Sequence, residues 1–144
     1  MTTIIAIPQE FLNIQYNPKQ TPESQLSIFK HGANCQLFAY SLLKHFGYSI
    51  PPLRSSDLWE DQEFTKNVDE LKPFDLMLYH SKPEAWGAHV GLYIGNDTVL
   101  HLSQGIGTPE KRHHNDFKLS EKYKCFIGAK RLKKTSDQVL LFLF

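Results

Sequence analysis

The most constraining feature of this sequence is a pair of short segments on either side of a turn. Residues 88–94 and 98–103 alternate between apolar and polar or small side chains, as strands with one buried face do. Gly95, Asn96 and Asp97 lie between them, and all three are common turn formers. The pattern predicts an antiparallel hairpin, and the register of a hairpin decides which side chains share a face.

The register follows from keeping the apolar residues of the hairpin together. A three-residue loop gives one apolar face through the pairs Ile94 with Thr98, Leu92 with Leu100 and Val90 with Leu102. A two-residue loop would shift the pairing by one and mix leucine with histidine on both faces, which a half-buried sheet resists. The other face therefore carries His89 and His101 as diagonal neighbours, and Gly91 lies across from His101 and leaves space there.

A helix is predicted upstream of the hairpin, beginning near Cys35. Apolar residues recur there at helical spacing: Leu37, Phe38, Leu42, Leu43 and Phe46. Asn34 is a suitable N-cap, because its side chain accepts from free amides of the first turn, and Gly47 is a typical stop residue.

The remaining elements indicate the fold class. A second helix is predicted over residues 56–61, and further strands over 75–80 and 124–132. A helix followed by closely spaced strands predicts an α+β fold around a mainly antiparallel sheet. We expect a single domain over residues 1–144 with its core at about 29–132, and the apolar end at 139–144 is predicted to dock on that core.

Composition excludes several classes of protein. A formal net charge of +1 produces no strong positive electrostatic field for binding nucleic acid or an anionic membrane. No apolar run approaches the roughly 20 residues of a membrane span. The first residues lack the features of a cleaved secretory signal, so we expect a cytoplasmic protein or one exported without a cleaved signal peptide. The sequence makes no prediction of the oligomeric state.

The two cysteines are too few for a disulfide framework, so any importance they have is chemical. Cys35 at a helix start feels the positive end of the helix dipole, which favours a thiolate, and the same end offers backbone amides for an oxyanion. Cys125 is predicted to pack within a strand. The histidine pair alone leaves three interpretations open: a proton-transfer couple, half a metal site, or polar residues on a wet face.

The chain resembles the NlpC/P60 family, papain-like cysteine peptidases that cut bacterial cell-wall peptides. The matching segments follow the order of the family signature: residues 32–35 at the helix start, 74–76 at a strand opening, 89–95 in the first hairpin strand and 99–101 in the second. The resemblance implies a papain-like fold with Cys35 as nucleophile, His89 as base and then acid, and His101 orienting the His89 ring. It also implies a thioester intermediate, a peptide substrate such as a muropeptide, and no metal or cofactor.

Two of the positions that depart from the family pattern flank Cys35. Asn34 stands where relatives have an acid that helps bind a free amino terminus, and Gln36 stands where they have serine. We predict that Asn34 and Gln36 contact substrate, together with Trp86 and Tyr93, whose aromatic rings are alternatively core residues. Two other functions remain open: an acyltransferase or deamidase on the same scaffold, because other nucleophiles can intercept a thioester, and a zinc-binding module using cysteine and histidine.

Overall fold

A computed structural model describes residues 4–133 of the 144-residue chain. The described helices are α1 Ile28–His31, α2 Cys35–His45 and α3 Ser55–Glu60, with 3-10 turns at Gln9–Asn13 and His114–Leu119. The described strands are β1 Thr65–Val68, β2 Leu76–His80, β3 His89–Gly95, β4 Thr98–His101, β5 Glu110–His113 and β6 Cys125–Leu132. This confirms the predicted α+β class.

The strands form one sheet in the order β1-β6-β2-β3-β4-β5, and every neighbouring pair is antiparallel. All seven residues of β3 are buried, because it has strands on both sides and side chains packed on both faces. The apolar segment 139–144 lies outside the described residues, and the single-domain assignment stays a prediction.

Helix α2 covers one face of the sheet. The Asn34 side chain accepts from the backbone N–H of Leu37 at 2.8 Å, which confirms the predicted N-cap. The helix ends at His45 with Phe46 as its C-cap, and Gly47 follows with φ +93°, a left-handed conformation that glycine adopts without strain. The main core contains the buried residues of α2 and one face of the sheet, among them Phe38, Leu42, Leu43, Leu78, Val90, Leu92 and Leu100. The other face forms a smaller cluster of Met77, Tyr79, Tyr93, Val99, Phe117 and Ala129.

The hairpin is closed differently from the prediction. Leu92 pairs with Leu100 as expected, but Thr98 pairs with Gly95 rather than Ile94, so the predicted three-residue loop is wrong. The turn contains only Asn96 and Asp97, both with positive φ (50° and 56°), as a tight hairpin turn requires. A bulge between Tyr93 and Gly95 absorbs the one-residue shift and so keeps the histidines on one face.

Two edge strands were missed by the sequence analysis. β1 and β5 are short and mostly charged or polar, and they lack the apolar alternation that predicts strands. β5 has no apolar alternation in the sequence, yet it pairs with β4 and places Glu110 opposite His101.

Candidate active site

Cys35 lies where the start of α2 meets the start of β3. It is the first residue of the helix and is half-buried. Backbone N–H groups of Cys35 itself, Gln36 and Val90 lie within hydrogen-bonding reach of its sulfur. Because Val90 directly follows His89 in β3, this contact places the sulfur next to the strand segment that begins with the first histidine.

His89 and His101 are joined by a hydrogen bond, as the predicted register requires. The Nε2 atom of His89 lies 2.9 Å from Nδ1 of His101, and the rings meet edge to face with centroids 5.0 Å apart. His101 is completely buried and His89 is 8% exposed. The bond uses Nε2 of His89 and leaves Nδ1 of that ring for another partner.

The polar chain continues beyond the histidines into the edge strand β5. The Nε2 atom of His101 lies 2.9 Å from Oε1 of Glu110, and Nε of Arg112 donates to the same oxygen at 2.7 Å. The Arg112 guanidinium also lies 5.0 Å from the centroid of the Phe117 ring. Sequence reasoning missed Glu110, although the pairing of a third strand with β4 would have placed it opposite His101.

The pKa of Cys35 departs from the expectation that the helix start favours a thiolate. Protein surrounds the sulfur closely enough that burial raises the pKa of the thiol, although the backbone N–H groups of Val90, Gln36 and Cys35 favour the thiolate. The cost of removing water from the thiolate outweighs the stabilisation that these N–H groups give it. At neutral pH the thiol is therefore protonated in the free protein.

Both histidines have lowered pKa values. Burial lowers the pKa of His89 well below 6.5, and the neighbouring His101 and Arg112 lower it further. Burial also lowers the pKa of His101, although its hydrogen bond to Glu110 opposes the shift. The two rings are therefore neutral at pH 7, and one of them can accept a proton.

Two tyrosines that the sequence analysis did not single out border the cluster formed by Cys35, His89 and His101. Tyr123 stacks on the His89 ring with centroids 4.4 Å apart, and burial raises the pKa of its hydroxyl. Burial and the neighbouring Cys35 and Tyr123 raise the pKa of Tyr16. Tyr16 and Tyr123 lie in irregular segments, where no periodic pattern marks a residue as part of a site.

The side chains of Asn34 and Gln36 are held by the protein itself. Asn34 caps α2, as described above. The amide nitrogen of Gln36 donates to the carbonyl of Leu53 at 2.9 Å and lies 3.3 Å from the Tyr40 hydroxyl, and Gln36 is buried. Gln36 thus ties the helix to the chain that follows it, and its contact with substrate stays a prediction.

The aromatic candidates differ from each other in their surroundings. Trp86 is 75% exposed in the turn that precedes β3. Tyr93 is buried in the smaller cluster, and its hydroxyl accepts from the backbone N–H of Asp97 at 2.9 Å, so it supports the hairpin turn. Cys125 lies apart on β6, with its sulfur 3.7 Å from the carbonyl oxygen of Ser81.

A groove of about 1000 Å³ runs along the outer side of α2. Its described lining includes Phe29, Tyr40, Lys44 and Tyr48 but none of Cys35, His89 and His101.

Within residues 4–133, no three histidine, cysteine, aspartate or glutamate residues are grouped so that they could hold a metal ion. No helix in that range has the length and apolarity needed to cross a membrane.

Comparison with curated proteins finds relatives whose names describe peptidases. The chain is 40% identical over 74 residues to a gamma-D-glutamyl-L-lysine dipeptidyl-peptidase of Bacillus subtilis (strain 168), covering 49% of this chain and 23% of that protein. It is 36% identical over 81 residues to the murein DD-endopeptidase MepS/murein LD-carboxypeptidase of Escherichia coli (strain K12), covering 54% of this chain and 40% of that protein. The chain thus spans less than half the length of these relatives.

Comparison with solved structures identifies a protein of similar fold. A crystal structure of an NlpC/P60 family protein from Bacillus cereus ATCC 10987 matches with a TM-score of 0.63 and 25% identity, over 84% of this chain and 36% of that one. This likeness confirms the papain-like fold. A sequence model of the NlpC/P60 family matches residues 20–125, well over half of the chain. The chain therefore belongs to the NlpC/P60 family.

Proposed function

We propose that this protein is a cysteine hydrolase that cleaves an amide bond in peptidoglycan-derived peptides. Cys35 is the nucleophile, His89 the general base and then the general acid, and His101 the residue that orients His89. The observation that carries the proposal is the 2.9 Å bond between His89 Nε2 and His101 Nδ1. It leaves Nδ1 of His89 free to exchange a proton with a thiol at the start of α2.

The proposed reaction starts from a neutral thiol and a neutral imidazole. When the substrate carbonyl approaches, Nδ1 of His89 takes the proton of Cys35, and the sulfur forms a bond to the carbonyl carbon. The backbone N–H of Cys35 donates to the oxyanion. His89 then returns the proton to the leaving amine as the C–N bond breaks, which leaves a thioester on Cys35.

Hydrolysis completes the cycle in the proposed mechanism. His89 takes a proton from a water molecule, whose oxygen attacks the thioester carbon. The C–S bond breaks, the acid product leaves, and the proton returns to Cys35. His101 holds the ring plane of His89 through both halves, and Tyr123, stacked at 4.4 Å, limits rotation of the same ring.

The substrate class is supported by the relatives, whose names describe a γ-D-glutamyl-L-lysine dipeptidyl-peptidase and a murein endopeptidase/carboxypeptidase. In typical members of the family an acid before the cysteine helps bind a free amino terminus. Here that position is Asn34, which carries no charge and whose side-chain oxygen accepts a hydrogen bond from the backbone N–H of Leu37 at the helix cap. We therefore propose a wall-derived peptide whose recognition depends less on a free amino terminus.

The test is incubation of the purified protein with muropeptides and with intact sacculi, followed by mass spectrometry of the products. We expect a new peptide fragment whose formation is abolished in Cys35→Ala and retained in Cys125→Ala, because Cys35 contacts the backbone of Val90 next to His89, whereas Cys125 lies apart on β6 beside Ser81. Cleavage that survives in Cys35→Ala would refute the assigned nucleophile. No product from either substrate would refute the proposed substrate class.

Acyl transfer or deamidation on the same scaffold is distinguished by adding amines to the reaction. A thioester on Cys35 would pass its acyl group to water in the proposed hydrolase and to the amine in a transferase. Amine adducts as the main product at millimolar amine would replace hydrolysis as the proposed reaction. The zinc-binding alternative has no ligand set among residues 4–133. Stoichiometric zinc in the purified protein, measured by elemental analysis, would favour the zinc-binding function over the hydrolase.

A further inference from the structure

Glu110 is a carboxylate at the end of the histidine chain, and no step of the proposed reaction uses it. It lies on the edge strand β5 directly opposite His101 in the β4–β5 ladder. Its side chain is about one-third exposed (34%), whereas the His101 side chain that it contacts has no exposure at all. A partly exposed acid that contacts a fully buried ring is a polar link from the protein surface to the cluster.

The carboxylate restricts where the protons on the two rings can be. Ionised Glu110 has only acceptor oxygens, so the Nε2 atom of His101, 2.9 Å from Oε1, must be the protonated nitrogen of that ring. In the neutral ring Nδ1 is then an acceptor. The partner of that acceptor is Nε2 of His89, which must therefore donate, and this leaves Nδ1 of His89 as a bare acceptor.

We propose that Glu110 is a positioning residue that fixes the tautomers of both His101 and His89. Nδ1 of His89 is thereby unprotonated and can accept the proton of the thiol. The inference rests on the proposed function for its consequence in catalysis. The tautomers themselves follow from the hydrogen bonds alone. Without Glu110, each ring could carry its proton on either nitrogen, and a proton on Nδ1 would block the base.

Arg112 completes this arrangement by holding Glu110. Its Nε donates at 2.7 Å to Oε1, the same oxygen that accepts from His101, and its guanidinium is placed against the Phe117 ring. Two donors thus converge on one oxygen. The hydrogen bonds from His101 and Arg112 lower the pKa of Glu110, so the group remains an ionised acceptor at neutral and mildly acidic pH.

Two substitutions at Glu110 separate hydrogen bonding from charge. Glu110→Gln keeps an oxygen, and Arg112 together with His101 orients that oxygen toward both donors while the charge is lost. Glu110→Leu removes the acceptor altogether. Glu63→Leu is the matched control, because Glu63 is exposed next to β1 at the opposite edge of the sheet.

The first readout is the protonation pattern of the two rings, measured by long-range ¹H–¹⁵N correlation NMR of the labelled protein near pH 7. We expect Nε2–H on both rings in the wild-type protein, in Glu110→Gln and in Glu63→Leu, and a mixture of tautomers in Glu110→Leu. A proton on Nδ1 of His89 in the wild-type protein, or unchanged tautomers in a folded Glu110→Leu, would overturn the inference. This readout needs no substrate, so it does not depend on the proposed function.

The second readout is the rate at which iodoacetamide alkylates Cys35 as a function of pH, in a Cys125→Ala background. We expect Glu110→Leu to slow alkylation near neutral pH by about tenfold or more, and Glu110→Gln to stay within about threefold of wild type, because general-base assistance is worth about 10²–10⁴ in rate. Equal rates in Glu110→Leu and wild type, with both folded by circular dichroism, would overturn the inference. Muropeptide cleavage absent in wild type but with this difference intact would refute the proposed substrate and leave the positioning role standing.

Discussion

At the scale of single residues, the candidate site depends on Gly91, which has no side chain. A Cβ atom at Gly91 would lie 2.6 Å from Cγ1 of Val99 and 3.3 Å from Cβ of His101. The first distance is far inside van der Waals contact, so the absence of a side chain at Gly91 leaves the space that Val99 occupies, with the Cβ atom of His101 close beside it. The hairpin pattern predicted this space because Gly91 and His101 fall opposite each other.

Gly91→Ala should destabilise the protein and disturb the histidine pair. The added methyl group must push Val99 or His101 out of a packed sheet, which typically costs about 1–3 kcal/mol in the free energy of unfolding. Chemical denaturation measures the loss, and Cys35 alkylation measures the disturbance. Gly105→Ala is the control, because a Cβ there would meet only Nζ of Lys122, at 3.9 Å. Equal stability of the two variants would contradict the steric argument.

Asn34 allows the capping and charge roles of one residue to be separated. Asn34→Ala should lower the free energy of unfolding by about 1 kcal/mol, because the backbone N–H of Leu37 loses its acceptor. Asn34→Asp keeps the acceptor and adds a negative charge at a helix N-terminus, so it should lose no stability. Thermal or chemical unfolding measures both effects.

The same aspartate variant tests substrate recognition. If relatives use their acid to hold a free amino terminus, Asn34→Asp should lower KM for muropeptides with a free amino terminus and leave KM unchanged for the acetylated forms. The wild-type protein should show little difference between the two. A strong wild-type preference for the free amino terminus would contradict the proposed recognition.

At the scale of elements, sequence periodicity predicted what is buried and failed for what lies at the sheet edges. Helix α2 and strands β3 and β4 were predicted from apolar residues at the period of each element, and β2 and β6 from apolar residues without a regular period. The hairpin loop was predicted wrongly, yet the bulge at its end restored the register that places His89 beside His101. Strand β5 has no apolar face, so Glu110 could be recognised only after the sheet was assembled.

The contact between α3 and β6 offers a test of packing between elements. Gly128 has φ +151°, and a Cβ there would lie 2.4 Å from the Trp59 ring, so the ring packs directly on the strand backbone. Gly128→Ala should cost about 1–3 kcal/mol in the free energy of unfolding, from overpacking added to backbone strain. In a Trp59→Ala background the same substitution should cost less, because only the backbone strain remains. An identical cost in both backgrounds would show that the ring contributes nothing to the penalty.

At the scale of the whole molecule, the proposed site combines residues from three separate parts of the chain. Cys35 comes from α2, the two histidines from the β3–β4 hairpin, and Glu110 from an edge strand. The first two parts could be joined from the sequence, because the family order of motifs links them. The third could not, because only the β4–β5 ladder brings Glu110 to His101. The result is a row of buried neutral imidazoles inside the fold, which affects stability as well as chemistry.

The burial of these imidazoles makes stability depend on pH in a definite direction. Burial lowers the pKa values of His89, His101 and His114 below their ordinary value of 6.5. Below that pH the unfolded chain takes up protons that the folded protein does not, so the free energy of unfolding falls as the pH drops through this range. The lowered pKa values of Asp61 and Glu110 add a further loss at more acidic pH, once those carboxylates become protonated.

We therefore expect the melting temperature to fall steadily from about pH 7.5 to about pH 5, in the range where histidine titrates. His101→Gln should have a shallower pH dependence, because one titrating group is gone, even if its melting temperature at neutral pH is lower. His31→Gln, which removes an exposed imidazole on α1, is the matched control variant. Calorimetry in buffers of different ionisation enthalpy should detect proton uptake on unfolding at about pH 6. A melting temperature that stays constant or rises toward pH 5 would mean that the folded protein protonates its histidines without penalty, and the neutral resting state proposed for His89 would have to be abandoned.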